Sequence, residues 1–238
     1  MLRVLDLSVL IGQKKVLSNI NFSLKQGEIV GLVGKSGSGK SSLAKACANL
    51  LPKGAELSGK VESQGRIGII FQDPSSALNP VLKIQTQFLE SLQMGSPQLS
   101  KQEKKEEAVR LLQYVGIVEP YRVLSQYPHQ LSGGTKQRIL IALSLALKPT
   151  ILIADEPTTA LDTITQAKIL DLFTKIWQDG ISILLISHDL GVIAQLSERL
   201  LVIDAGKLIE EGPLQSILRK PQHPVTQELI SAARSFYD

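Results

Sequence analysis

The chain's 238 residues, 43% apolar and 20% charged with only 4% aromatic, are enough to bury one substantial core. That balance excludes a disordered or fibrous chain and points to one α/β domain carrying an insertion. A net charge of +4 suits nucleotide, nucleic acid or an anionic membrane surface and equally ordinary surface lysine, while the single cysteine, Cys47, excludes an internal disulfide and any cysteine-ligated metal or iron–sulfur site.

The opening MLRVLDLSVL places Asp6 inside an apolar stretch and runs straight into a strand pattern, so no targeting peptide is expected there. Residues 1–33 read as three strands, RVLDLSVLI, VLSNINFSL and GEIVGLVG, separated by the polar turns GQKK and KQG. The third is apolar enough to be buried. A glycine-rich loop follows, then SSLAKACANLL with helical spacing that stops before Pro52 and Gly54. RIGIIF at 66–71 reads as a short strand.

From about residue 77 to 147 the pattern turns helical. Ile84, Phe88, Leu89 and Leu92 share one face, and Ser100 with Glu103 forms a capping-box signature ahead of Ala108, Leu111, Leu112 and Val115. The longest apolar run, ILIALSLAL at 139–147, falls short of the roughly 18 residues of a spanning helix. If a membrane is involved, another polypeptide is expected to cross it. TILIADE and ISILLISHD then return as aliphatic strands around the helical TITQAKILDLFTKIWQ, the alternation of buried parallel strands with a crossover helix. RLLVIDAGKLIEEG reads as two strands and a turn, and the last stretch as a helix.

GKSGSGKS, Gly34 to Ser41, fits G-x-x-x-x-G-K-[ST] between an apolar strand and a helix, the context that motif requires. Glycines at 34, 37 and 39 let the backbone wrap a phosphate chain with its N–H groups, and the following helix adds its positive end. Lys40 then reaches the β- and γ-phosphates and Ser41 ligates Mg²⁺. Residues Gly34, Ser36, Gly37, Ser38, Gly39, Lys40, Ser41 and Ser42 are the expected phosphate contacts. ILIADE at 151–156 ends a strand on two carboxylates, at the sheet edge where open α/β folds bind ligands. Asp155 is the natural partner for Mg²⁺, and Glu156 points at the space for an attacking water. Alone, two adjacent acids are also compatible with a solvated turn, the lesser reading.

With these two motifs in place, the chain resembles the ATPase subunit of an ATP-binding cassette transporter over nearly its whole length. Gln72 in FQDP, LSGG at 131–134, ALD at 160–162 and His188 after ILLIS stand in the family's order. The resemblance implies an α/β fold: a P-loop NTPase (RecA-like) core with a mixed β-sheet and an N-terminal antiparallel β-subdomain, plus an inserted α-helical subdomain. It divides the chain into core at 1–76, helical signature subdomain at 77–147 and core again at 148–238. It implies that Gln72 contacts Mg²⁺ and the water, that Glu156 is the general base, that His188 bonds the γ-phosphate, and that Asp162 lies in a loop facing the opposite subunit. Read alone, His188 is more often a structural residue and Ser132 only a helix cap.

The resemblance further implies that two subunits close head to tail, so that Ser132, Gly133 and Gly134 of one meet the γ-phosphate held by Lys40 of the other. Two departures stand out. The position where most relatives stack an aromatic ring on adenine aligns with Ile11, which forgoes π-stacking, and the signature's fifth residue is Thr135 rather than glutamine. FQDPSSALNP, ADEPTTALD and HPVTQELI resemble the peptide/nickel importer branch. Its ATPases pair with a second ATPase subunit, homo- or heterodimeric, beneath two transmembrane permease subunits fed by an extracytoplasmic substrate-binding protein, at the cytoplasmic face of the membrane. The expected cofactors are ATP and Mg²⁺, and the cargo a peptide or a nickel or other metal chelate. The alternative is a soluble cassette ATPase acting on nucleic acid, although nucleic acid is not an expected partner of the importer. A GTPase is disfavoured by the lack of N-K-x-D and D-x-x-G motifs.

Overall fold

The computed structural model describes residues 1–159 and 161–234. Strands β1 (Leu2–Ile11) and β2 (Lys14–Leu24) form an antiparallel hairpin, and β4 (Ala55–Ser63) pairs with the other side of β1 to complete a three-stranded sheet. The central sheet holds β3 (Ile29–Val33), β5 (Ile67–Ile70), β6 (Ile151–Asp155), β7 (Ser182–Ile186), β8 (Arg199–Asp204) and β9 (Lys207–Pro213) in the order β5-β6-β7-β3-β8-β9. Its first five strands run parallel and β9 closes the edge antiparallel to β8. This is the mixed sheet with an antiparallel N-terminal partner expected of the P-loop fold.

Strand alternation divides the core into two layers. Leu152 and Ala154 of β6, Ile183 and Leu185 of β7, and Leu200 and Val202 of β8 face one cluster. Ile151, Ile153, Leu184, Ile186, Leu201 and Ile203 face the other, beneath β1, β2 and α1 (Lys40–Cys47). Both faces are covered, so these strands read as continuous aliphatic runs.

The helices between β5 and β6 are α2 (Pro74–Ala77), α3 (Ile84–Gly95), α4 (Lys101–Tyr114), α5 (Pro120–Ser125) and α6 (Gly133–Ala146). Ser100 and Glu103 close the capping box of α4 reciprocally. On α3, Ile84, Phe88 and Leu92 are fully buried as expected, but Leu89 is only half-buried. Gln87 takes the buried place instead, its amide satisfied by the backbone of Asn79 and Leu82. The remaining helices are α7 (Thr163–Gln178), α8 (Leu190–Leu196), α9 (Leu214–Arg219) and α10 (Pro224–Arg234), so the expected single terminal helix is two, separated by a segment holding Pro221. Among the described residues no helix is long and apolar enough to cross a membrane.

Candidate active site

All parallel strands deliver their carboxyl ends to one edge of the sheet. The loop after β3 wraps into α1, β6 ends on Asp155 beside Ile186 of β7, and Ile70 of β5 pairs with Ala154 just before the chain reaches Gln72. These ends border a cavity of about 900 Å³. It is lined by Ser36, Gly37, Gly39, Lys40, Ser41 and Ser42 from the loop, by Gln72, Glu156, Thr159 and His188 at one end, and by Lys14, Lys15, Val16, Ala205 and Gly206 at the other.

Gly34 and Ser38 lie beneath this lining. Both are buried, and a Cβ on Gly34 would stand 2.2 Å from the carbonyl oxygen of Ile203, so only glycine allows the loop to rest on β8. Lys40 folds back over the loop and donates to the carbonyls of Gly34 (2.8 Å) and Lys35 (3.0 Å). Burial pushes its ammonium below the ordinary lysine range, while the charges of Glu156 and Asp155 act in the opposite direction.

Asp155 is buried, and burial together with the neighbouring Glu156 charge raises its carboxyl above the usual range, against the hydrogen bond from Ser41 and the charges of Lys40 and Lys45. Its Oδ1 has no hydrogen-bond partner. An unpartnered carboxylate oxygen beside a serine hydroxyl is a hard-oxygen pair that fits Mg²⁺. Among the described residues no group of three or more His, Cys, Asp or Glu could hold a metal, so a cation here would lean on phosphate oxygens, as Mg²⁺ commonly does.

Glu156 follows β6 with φ 49°, a left-handed backbone rare for a residue with a side chain. Its N–H bonds the carbonyl of Ile186, which carries the β6–β7 ladder one residue further. Its Oε2 is met by Gln72 Nε2 at 3.1 Å, Thr159 Oγ1 at 3.0 Å and His188 Nδ1 at 3.0 Å. The sequence brings Gln72, Glu156 and His188 to mind; it does not single out Thr159, whose signal is its place three residues after Glu156 in EPTT. Lys14, Lys15, Val16, Ala205 and Gly206 were also missed, since the first three read only as turn and strand and the last two as a tight turn.

Ile11 stands outside the cavity lining. It ends β1 opposite Lys14 and Ala55, and the aliphatic side chain that does line the cavity is Val16. Ser132, Gly133 and Gly134 are also apart from it. Ser132 caps α6, accepting from the backbone N–H of Thr135 and sharing a 2.9 Å hydrogen bond with its hydroxyl. With Thr135 it borders a separate cavity of about 210 Å³ alongside Glu119, Arg122 and Leu131. Of the ALD element, Ala160 lies outside the described residues, while Asp162 caps α7 through the backbone and hydroxyl of Thr165.

The model of the ABC transporter family matches residues 17–159. The dipeptide transport ATP-binding protein DppD of Haemophilus influenzae is 38% identical over 99% of this chain and 78% of its own length. DppD of Bacillus subtilis is 41% identical over 93% of this chain and 72% of its own length. The oligopeptide transport ATP-binding protein OppD of Mycobacterium tuberculosis is 40% identical over 90% of this chain, which spans only 38% of that longer protein. Among solved structures, the dimeric post-hydrolysis state of the ATP-binding cassette MJ0796 bound to ADP and Pi superposes with a TM-score of 0.78 at 29% identity, covering 90% of this chain and 99% of that one.

Proposed function

The chain belongs to the ABC transporter family as an ATPase, and from that premise we propose that it is the ATP-hydrolysing subunit of a membrane importer for peptides. The observation that carries the hydrolytic part is the convergence of Gln72, Thr159 and His188 on one oxygen of Glu156, at the rim of the cavity that holds Lys40. A carboxylate held by three neighbours is placed to accept the proton of a water attacking the γ-phosphorus.

Lys40 exchanges the carbonyls of Gly34 and Lys35 for phosphate oxygens and offsets their charge. Ser41 and Asp155, with Gln72 nearby, would hold Mg²⁺, which when bound neutralises phosphate charge. His188 pairs with Glu156 through Nδ1, leaving Nε2 for the γ-phosphate. Ser132 borders a different cavity, and Gly133 and Gly134 also stand outside the lining of the one that holds Lys40, so the γ-phosphate they serve is one held by Lys40 of a second ATPase subunit. Closure of the pair on ATP and its release after hydrolysis drive two permease subunits, with the extracytoplasmic binding protein supplying cargo. The names of the relatives support peptides over a nickel chelate, and none favours a soluble ATPase acting on nucleic acid.

The test is reconstitution in liposomes with the candidate permeases and a peptide-loaded binding protein. Peptide-stimulated ATPase activity and uptake are expected. Stimulation by DNA in place of the permeases would sink the reading.

A further inference from the structure

The two glycines at the start of α6 answer to different neighbours. A Cβ on Gly133 would meet nothing within 4 Å among the described residues, so its own chain does not require a glycine there. A Cβ on Gly134 would stand 2.8 Å from the Cγ2 methyl of Thr165, well inside the roughly 3.5–4.0 Å at which carbon atoms rest against each other. The glycine at 134 is therefore required by a residue of the same chain, in the first turn of α7.

That methyl is not free to turn away. Thr165 is β-branched, with few staggered positions open to it in a helix, and both its donors are tied to Asp162: the backbone N–H bonds Oδ1 at 2.9 Å and the hydroxyl bonds Oδ2 at 2.7 Å. The backbone and hydroxyl bonds hold the Asp162 carboxyl below the usual carboxylate range, so the tether is ionised at neutral pH. Three residues along α6, on the same face as Gly134, Gln137 is buried and donates through Nε2 to the carbonyl of Pro157 at 2.8 Å, directly after Glu156. The start of α6 is thus seated at two points beyond the carboxylate, by a hydrogen bond at Pro157 and by a methyl at Thr165.

We propose that Thr165 is a positioning residue: its methyl, locked by Asp162 and fitted to the bare Gly134, sets where the N-terminus of α6 presents Ser132 and Gly133 to the γ-phosphate held by the second subunit. The proposal rests on the head-to-tail pairing of two ATPase subunits. It divides the two glycines by task. Gly133 stays bare for a ligand outside the chain, and Gly134 for a side chain within it.

Sedimentation of the full chain in excess Mg²⁺ and ATP, with Glu156→Gln in every variant to suppress turnover, reads the dimer dissociation constant. Gly134→Ala is expected to weaken the dimer by about tenfold or more, since displacing a positioned group by about an ångström forfeits at least that much. Thr165→Ser keeps the tether but loses the methyl, and should weaken the dimer about threefold, the scale of one buried methyl. In the double variant the new Cβ fills the space the methyl leaves. Its dimer should return to within about threefold of the parent, against the roughly thirtyfold loss expected of two independent changes. Gly133→Ala should also weaken the dimer and gain nothing from Thr165→Ser. Losses that add, or an equal rescue of Gly133→Ala, overturn the proposal. So does a folded Gly134→Ala protein that melts lower yet dimerises like the parent, which would leave Thr165 a packing contact alone. If Gly134→Ala by itself does not fold, the double variant is compared with Thr165→Ser, and a weaker dimer in the double variant is the overturning result. Should the Glu156→Gln parent bind ATP and form no dimer, the head-to-tail reading fails and takes the proposal with it.

Discussion

Thr159 donates its hydroxyl hydrogen to Glu156 Oε2 across 3.0 Å, on the same oxygen that Gln72 and His188 reach. Thr159 is thus a third neighbour holding the carboxylate in place, beside Gln72 and His188. It sits on the segment following Glu156 and lines the same cavity. Thr159→Val removes the hydroxyl while preserving shape. It is expected to lower kcat by about tenfold, the scale of one hydrogen bond to a charged group, with KM for ATP little changed. Glu156→Gln should cost about 10²-fold or more in turnover, the scale of a general base, and keep ATP binding. Steady-state kinetics on both variants separate the roles, and a Thr159→Val enzyme with unaltered kcat would return Thr159 to a purely local contact.

Asp155 offers a stability test whose sign follows from proton binding. Its carboxyl is raised in the folded protein, chiefly by burial, so between the unfolded and folded values the native state holds the extra proton. Unfolding free energy then falls as pH rises through that window and stays lower above it. At neutral pH the ionised group costs the nucleotide-free protein stability. Asp155→Asn should therefore melt higher than the parent at pH 7 without ligand, by about 2–4 °C for each kcal/mol recovered. The difference should shrink as pH falls below the ordinary carboxylate range. With Mg²⁺ and ATP added the order should reverse, because the parent gains more from binding. A lower melting temperature for the free variant at pH 7 would contradict the assignment.

Much of this arrangement is legible before any coordinates. The aliphatic runs of β3, β6 and β7 announce strands covered on both faces, and GKSGSGKS and ILIADE announce their ligand-binding ends. The strand β4 escapes because AELSGKVES is mostly exposed and has no alternation, its position resting instead on pairing with β1. Gly59 illustrates how: a Cβ there would stand 2.4 Å from Asp6 O, at the irregularity between Leu5 and Ser8. The helical segment shows the opposite failure. Gln87 and Leu89 exchange their expected burial because a glutamine that satisfies three backbone groups can replace an aliphatic side chain inside. The end of the cavity lined by Val16 and Gly206 is illegible for a third reason, since the two residues are far apart in sequence and only the sheet topology joins them.

Cys47 packs in the layer beneath the N-terminal sheet, 3% exposed, and burial pushes its thiol up to about 12. At pH 8 the thiolate fraction is then on the order of 10⁻⁴, and the thiolate is the reactive form. Iodoacetamide should leave the native protein unlabelled over hours and modify it fully in denaturant. The labelling rate under native conditions thus reports opening of the core around α1. Rapid modification of the native chain at pH 8, followed by mass spectrometry, would place Cys47 outside that layer.

Lys40 and Ser132 line separate cavities of one chain, and the proposed function takes one of each from two chains to complete a phosphate-binding site. That requirement can be tested without any membrane component. Lys40→Ala removes the cation from the phosphate loop, and Ser132→Arg places a bulky side chain at the cap of α6, where arginine cannot replace the serine's hydrogen bond to Thr135. Losing that cap costs about 1 kcal/mol, too little to unfold a domain of this size. Each variant alone should be inactive, because every site in its dimer carries the lesion. Mixing them equally lets the intact loop of the Ser132→Arg chain meet the intact cap of the Lys40→Ala chain. ATPase activity should reappear at roughly a quarter of the parent value, since random pairing makes half the dimers mixed and each has one whole site. If the mixture stays inactive although cross-linking shows that mixed dimers form, the two cavities do not share a nucleotide.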